Sequence, residues 1–485
     1  MKAKFSVLLR STLIYAPAIF LTRISALLLL IIATRLIDQT EYGLLTLVVT
    51  VGEMTDVAVT NWLRIALLRL GGKGEISRGS LWLAARVLAA TTLVAFVISI
   101  VASTLIVPER WMEFALAVCT YLVVGAVGRY ALTVLQMQQR HTAYSLLEFV
   151  RAILQLLLPI GAIALFHDSF LMVSLASSLA VFIAGCAALW LALGRTVAGP
   201  SRFTYGELFA LGVPLIITAL VGFGLNNAER VILKVFYDAG SVAIFAAAYS
   251  LARQPIDMVA NAINTGAFPE MVSRFDRQGP AAAAQFLSQL MALMMRLCLP
   301  IAALLTALGH DITALVLPAD YQGHVGALFP IIAVSVLFGN LTSFVFENVI
   351  HAHKRNWLLI GLMAPGSVAT IGLSLLLIPA YAEIGAALAL AGGSLVTLIA
   401  SVVVSHRLTP VPVPWASIGL SALVAVATGV VAALASAALG DVWPVFKLAA
   451  GGFAGGVMFL GLNSLLHPVE TRRFAGMVRS RLGIA

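Results

Sequence analysis

Long apolar runs separated by short polar breaks recur along the whole chain. A helix that crosses a bilayer needs about 20 predominantly apolar residues. Runs near 12–36, 42–66, 80–107, 112–136, 143–166, 170–194, 206–236, 240–266, 284–309, 325–350, 356–378, 384–405, 416–438 and 443–466 reach that length. They predict about fourteen transmembrane helices. The longest break, 267–283, is too short to fold as a soluble domain. The expected class is an all-α polytopic membrane protein.

Composition narrows the function. Of 485 residues, 61% are hydrophobic and 11% charged, against about 45–50% and about 25% in soluble chains. A soluble enzyme, a secreted disulfide scaffold and a disordered chain are all excluded. Cys119, Cys186 and Cys298 lie in apolar runs without metal-ligand spacing, a pattern that predicts buried helix residues rather than disulfides or ligands. No metal or other cofactor is expected.

The net charge of +9 could point to nucleic acid, but its distribution points to the membrane. When the breaks are assigned alternately to two sides, eighteen Lys and Arg fall on the side of the N-terminus, among them Lys2, Lys4, Arg10, Lys73, Arg140, Arg195, Lys354 and Arg407. The other side holds Arg35 and Arg110 and collects Asp38, Glu41, Glu113, Asp168, Asp311 and Asp441. This positive-inside bias predicts that both termini are cytoplasmic. Lys2, Lys4 and Arg10 precede a long apolar run without a small-residue cleavage site, so the first span is expected to be retained. The tail after Pro468 interleaves four arginines with Phe474, Met477 and Leu482, as in an interfacial basic helix.

A weak internal repeat divides the chain. Pro17, Arg35, Asp38 and Gly43 are echoed by Pro214, Lys234, Asp238 and Gly240, and Gln138-Gln-Arg-His141 by His351-Ala-His-Lys-Arg355. The offset corresponds to six spans. Because six is even, both halves enter from the same side, as in a parallel transporter repeat. The expected organisation is a first lobe over 1–200, a second over 201–408, two further spans over 409–467 and a basic tail over 468–485.

Ten cations fall within the spans, where a charge at helix centre costs about 2.5–3.5 kcal/mol on insertion scales. Arg64, Arg86, Lys234 and Lys447 lie near span ends, where they can snorkel. Arg23, Arg129, Arg151, Arg230, Arg253 and Arg296 lie deeper, together with the acids Glu53, Asp56, Glu148, Glu229, Asp257 and Glu347. Glu148 and Arg151 are three apart and Arg253 and Asp257 four apart, spacings that place each pair on one helix face. Asn261 and Asn264 extend the polar stripe beside Asp257. The deep charges are concentrated in spans one, two, four, five and seven to ten. Polar helices around a wet cationic cavity would give this pattern, and such a cavity suits a phosphate-bearing anion.

The stretch Arg35-Leu-Ile-Asp-Gln-Thr-Glu-Tyr-Gly43 resembles the opening of bacterial polysaccharide flippases of the Wzx type. So does the run from Gly212-Val-Pro214 through Asn226-Asn-Ala-Glu-Arg230 to Asp238, followed by Ala247-Ala-Tyr249. These flippases belong to the multidrug/oligosaccharidyl-lipid/polysaccharide (MOP) exporter superfamily, with the lipid II flippase MurJ and the MATE exporters. The resemblance implies two six-helix lobes around a cationic central cavity, in the bacterial inner membrane. The implied substrate is an undecaprenyl-pyrophosphate-linked oligosaccharide, flipped by alternating access for O-antigen, capsule or exopolysaccharide synthesis. MurJ-like proteins hold pyrophosphate with arginines of the first, second and eighth spans. Arg23 and Arg253 match two of these, whereas the second span carries Glu53 and Asp56 instead.

The expected substrate contacts are therefore Arg23 and Arg253, with Arg129, Arg151, Arg230 and Arg296 as a further lining. Glu53, Asp56 and Asp257 are the candidates for coupling to H+ or Na+. Expected partners are the lipid-linked oligosaccharide, membrane lipids and other polysaccharide-assembly proteins such as the polymerase, with no nucleic acid. No enzyme activity is expected. The competing readings are a MATE-like cation-coupled exporter, which would need an acidic cavity, and a membrane glycan polymerase or ligase, which would need a sizeable external loop. Bending of the lobes is expected at Pro17, Pro214, Pro255, Pro269, Gly222 and Gly224.

Overall fold

The computed structural model describes residues 21–70, 76–166, 169–194, 196–355, 357–440 and 442–466. The expectations for Lys2, Lys4, Arg10, Pro17, Lys73, Asp168, Arg195, Asp441 and the tail after Pro468 lie outside the described residues. The described residues are all-α apart from one two-residue parallel ladder, Ile76–Ser77 with Thr196–Val197.

In chain order the helices are α1 (21–36), α2 (Gln39–Val59), α3 (Asn61–Leu70), α4 (Arg78–Ile106), α5 (Trp111–Met137), α6 (His141–Phe166), α7 (Phe170–Leu193), α8 (Tyr205–Phe236) and α9 (Ala239–Gln278). They continue as α10 (Pro280–Ala307), α11 (Gly309–Val316), α12 (Ala319–Leu341), a π-turn over Thr342–Phe346, α13 (Glu347–Ala352), α14 (Leu358–Leu408), α15 (Trp415–Ala437) and α16 (Pro444–Leu466). Among the described residues, 11 helices are long and apolar enough to cross a membrane. The 51-residue α14 changes direction at Ala382 (φ 45°) and so supplies two segments. With α1 and the more polar α9, the order of fourteen spans matches the order expected from hydropathy.

The breaks follow local chemistry. Asp38 caps α2 by accepting from the Thr40 amide at 2.9 Å. Thr204 and Glu207 form a capping box at the start of α8. Gly385 sits where a Cβ would lie 2.4 Å from the Leu377 carbonyl, so only glycine fits beside the bend at Ala382.

Two segments expected as connectors are helical. The break at 267–283 is mostly the continuation of α9, which ends at Gln278. Gly279 (φ 88°) stops it and Pro280 starts α10. This extension is amphipathic: Met271 is fully buried, while Glu270 and Arg274 pair at 2.8 Å on the outside. A hydropathy window scores its polar face as loop, although a helix needs only one apolar stripe. The break at 310–324 is likewise mostly α11 and the start of α12.

The chain divides into two compact units. One runs through Ala246 and includes Thr370–Ala386, and the other comprises Ala247–Ala369 and the chain from Ala387 onward. In the first, α5 and α7 pack closely enough that a Cβ on Gly185 would lie 2.9 Å from the Gly128 Cα. Such small-residue contacts replace the hydrophobic effect as the source of association in lipid. Trp62 of α3 is 2% exposed and packs its ring 5.5 Å from Phe209 of α8. Glu41 joins three elements, accepting from Arg110 and from the Phe170 amide at 2.8 Å. In the second unit α15 and α16 pack on each other and on α10. Asp311 of α11 accepts from Ser436 of α15.

Candidate substrate-binding site

The first unit holds a partly open cavity of about 470 Å³ lined from α1, α2, α3, α5, α6 and α7. That lies within the about 300–1,000 Å³ of ordinary ligand sites. Four of the charged groups in its wall, Glu53, Arg129, Glu148 and Arg151, were expected at depth from the sequence. Arg64 is a fifth. Its place near a span end suggests snorkelling to the membrane surface. The helix instead breaks at Thr60 and restarts as α3, and the exposed Arg64 side chain lines the cavity.

The arginines of this cavity are held by carboxylates. Arg129 Nη2 lies 2.7 Å from Asp56 Oδ1, with the two side chains 30% and 9% exposed. The Thr60 hydroxyl also donates to Asp56, and the Arg129 guanidinium stands 6.0 Å from the Tyr121 ring centroid. Arg151 donates to Glu148 at 2.6 Å and to Gln155 Oε1 at 2.6 Å. The 148/151 pair follows from i,i+3 spacing. The 56/129 pair joins residues 73 apart and is invisible to local spacing.

Arg23 is half-buried on α1, and no hydrogen bond or ion pair joins it to another described residue. Its chain neighbours Thr22 and Ser25 line the cavity. Arg230 lies deep on α8, its Nε 4.0 Å from the fully buried Glu229 carboxylate.

In the second unit, Arg253 of α9 donates its Nε to Asp257 Oδ2 at 2.7 Å and its Nη1 to the Tyr249 hydroxyl. The Arg253 side chain is 44% exposed, more than any other arginine ion-paired within the described spans. Arg296 is half-buried on α10. The expected polar stripe of α9 has a counterpart that the sequence did not single out. Asn340 donates to Asp257 Oδ1 and Asn348 to Asn264 Oδ1, both at 3.1 Å.

The π-turn Thr342–Phe346 accounts for this ladder. Asp257 and Asn264 are seven apart, about two α-helical turns, and so share a face. Asn340 and Asn348 are eight apart, which in an unbroken α-helix would rotate them by about 80°. The wider π-turn absorbs the extra residue and returns Asn348 to the face of Asn340.

His351 and His353 lie at and just beyond the end of α13. Both are half-buried, with edge-on contacts to Phe268 and Phe275. His353 Nε2 also lies 2.8 Å from Thr409 Oγ1. Burial, and then Arg355, hold His353 below the ordinary histidine pKa.

The family model described as polysaccharide biosynthesis protein matches residues 8–275, more than half of the chain. A comparison with curated protein sequences finds no significant match. Among solved structures, the fold is similar to the lipid II flippase MurJ in an inward closed conformation, with a TM-score of 0.72 and 12% identity over 94% of this chain and 99% of that one. It is also similar to the eukaryotic MATE transporter AtDTX14, with a TM-score of 0.57 and 13% identity over 86% and 99% of the two chains. A MOP superfamily transporter from Pyrococcus furiosus, described by the reverse polarity of its binding pocket, follows with a TM-score of 0.50 and 14% identity over 82% and 93%. Likeness at these identities establishes the fold. The chain therefore belongs to the polysaccharide biosynthesis protein family, built on the all-helical fold of the MOP superfamily.

Proposed function

We propose that the protein is a flippase for an undecaprenyl-pyrophosphate-linked oligosaccharide. It would act by alternating access in the bacterial inner membrane, with both termini cytoplasmic, and serve cell-surface polysaccharide synthesis. The observation that carries this reading is the match of the polysaccharide biosynthesis family to residues 8–275. The MurJ-like fold supports it, as does the concentration of arginines within the spans.

Arg253 is the first candidate for pyrophosphate contact. Asp257 and Tyr249 fix its guanidinium, yet its side chain is 44% exposed. A guanidinium already oriented loses little freedom on binding a phosphate bidentately. Arg23, with no bond to another described residue, is the second. Glu53, Asp56 and Asp257 remain the candidates for coupling to H+ or Na+. The polyprenyl chain stays in lipid, because each buried methylene favours an apolar phase by about 0.8 kcal/mol.

The likeness to MATE structures favours a second reading, a cation-coupled small-molecule exporter using the same three carboxylates. Deleting the gene and labelling lipid-linked glycan from one leaflet at a time separates the two. Accumulation on the cytoplasmic leaflet, relieved by the wild-type gene but not by Arg23→Ala/Arg253→Ala at equal protein level, is the outcome expected of the flippase. Normal glycan flipping with altered drug sensitivity would establish the exporter.

A further inference from the structure

We infer that the cavity of the first unit is a carbohydrate subsite: it takes the neutral sugars of the head group and not the pyrophosphate. The inference rests on the flippase reading and assigns a division of labour within it.

Charge balance is the first reason. Among the groups that line the cavity and their ion-pair partners, Arg64, Arg129 and Arg151 bring three positive charges and Glu53, Glu148 and the Arg129-bound Asp56 three negative ones; Arg23, beside Thr22 on α1, is not in the lining. A pyrophosphate entering the cavity would meet Glu53 and Glu148 in the wall. Like charges in a poorly screened cavity repel, so these carboxylates oppose the entry of a pyrophosphate. The arginines offset this only in part: Arg129 and Arg151 direct N–H groups at carboxylates, as Arg253 does at Asp257, but their side chains are 30% and 19% exposed against 44% for Arg253.

The second reason is the mixture of groups in the wall. Gln136, Gln155, Ser174 and Ser177 line the same space as the ion pairs, together with the aromatic side chains of Tyr121 and Tyr144. Carboxamides and hydroxyls offer both donors and acceptors, carboxylates only acceptors and guanidinium only donors. A sugar ring is the complement of such a wall. Each of its hydroxyls donates to one group and accepts from another, and its C–H face packs on an aromatic ring. A phosphate oxygen has no proton to give to a carboxylate or to an amide oxygen, so the acceptors in this wall offer it nothing. Gln155 is the most telling member. Its Oε1 receives Arg151, which orients the carboxamide and leaves its NH2 as a positioned donor at the cavity wall.

The reading also explains an asymmetry between the units. Arg253, in the second unit, has a side chain that is 44% exposed, against 30% for Arg129 and 19% for Arg151. The exposed guanidinium suits an anion, and the neutralised, hydroxyl-rich cavity suits a glycan.

The test uses the full-length protein in lipid nanodiscs and two probes: undecaprenyl pyrophosphate without sugar, and the undecaprenyl-pyrophosphoryl oligosaccharide extracted from cells that lack this gene. Affinities are measured for wild type, Gln155→Ala, Gln136→Ala and Arg253→Ala. The wild type is expected to bind the glycosylated lipid more tightly. Gln155→Ala and Gln136→Ala should each weaken glycosylated-lipid binding about tenfold, the size of one lost hydrogen bond, and leave the sugar-free lipid unchanged. Arg253→Ala should weaken both. Gln155→Glu keeps the size of the side chain and removes the donor, so it should match Gln155→Ala if the variants are folded. Equal weakening of both probes by the glutamine variants would place the pyrophosphate in the cavity and overturn the inference. So would no weakening of either. If the wild type binds neither lipid, the flippase reading itself fails and the subsite falls with it.

Discussion

The ion pair between Asp56 and Arg129 gives the structure its sharpest energetic test. Asp56 Oδ1 and Arg129 Nη2 stand 2.7 Å apart, with Asp56 nearly sealed and Arg129 facing the cavity. Breaking a fully buried pair by removing one partner costs about 3–5 kcal/mol, whereas exposed pairs are worth about 0.2–1 kcal/mol. At 9% and 30% exposure this pair lies between those limits. A coupling energy of about 2 kcal/mol is expected. The perturbation is a double-mutant cycle with Asp56→Asn, Arg129→Gln and the combination, read by unfolding in mixed micelles with rising SDS. Arg129→Gln should be the costlier single change. It strands a carboxylate sealed from water, whereas Asp56→Asn leaves a guanidinium that can still reach the wet cavity. The double variant should be no worse than Arg129→Gln alone, because two neutral amides replace two charges. A coupling below about 0.3 kcal/mol, the error of additivity for independent sites, would refute the pairing. Arg129 would then be free to serve as a direct anion contact.

Three further outcomes follow from the packing. Gly212→Ala would put a methyl group 2.3 Å from the Trp62 ring. Overpacking of this kind costs about 1–3 kcal/mol, and the same SDS titration should record it together with a changed Trp62 fluorescence. Asn340→Leu removes one donor from Asp257 and should cost about 1–2 kcal/mol. Asn340→Asp should cost more, because it sets a second carboxylate against the first. The depressed pKa of His353 means that the folded protein favours the neutral ring. Its contribution to stability is therefore full above the ordinary histidine range and is lost as pH falls through about 6.5 and below. His353→Gln should flatten that part of the stability–pH curve, and an unchanged slope would contradict the burial of His353.

The spans were legible because hydropathy over about 20 residues reports the membrane directly. The caps on α2 and α8, Asp38 and Thr204, are local features that a hydropathy window does not report. Pairs within one helix, Glu148 with Arg151 and Arg253 with Asp257, could be read from their spacing. Contacts between helices could not. Asp56 meets Arg129, and Asn340 meets Asp257, because of how α2 lies on α5 and α12 on α9. The position of Arg64 in the sequence gives its depth in a span but not its direction, which the break at Thr60 decides. The extension of α9 to Gln278 was hidden by its polar face and by Pro269, which suggests a stop where the helix continues. The π-turn leaves no mark in hydropathy. The only hint of it is the eight-residue spacing of Asn340 and Asn348, which makes sense once their partners seven apart on α9 are known.

In the proposed cycle the protein moves a pyrophosphate-linked glycan between leaflets with Arg253 as a direct contact. The most direct measurement reconstitutes the full chain in proteoliposomes carrying the undecaprenyl-pyrophosphoryl oligosaccharide. A soluble glycosidase or lectin then follows the fraction of glycan that reaches the protected leaflet. Wild type should move the lipid well above protein-free vesicles. Arg253→Ala should lower the rate by at least tenfold, the size of a lost charge-assisted hydrogen bond, while Arg253→Lys recovers only part of it because an ammonium cannot bind bidentately. Transfer by Arg253→Ala at the wild-type rate, in vesicles where wild type is active, would contradict the assignment of Arg253. Wild-type transfer no faster than in protein-free vesicles would contradict the flippase itself.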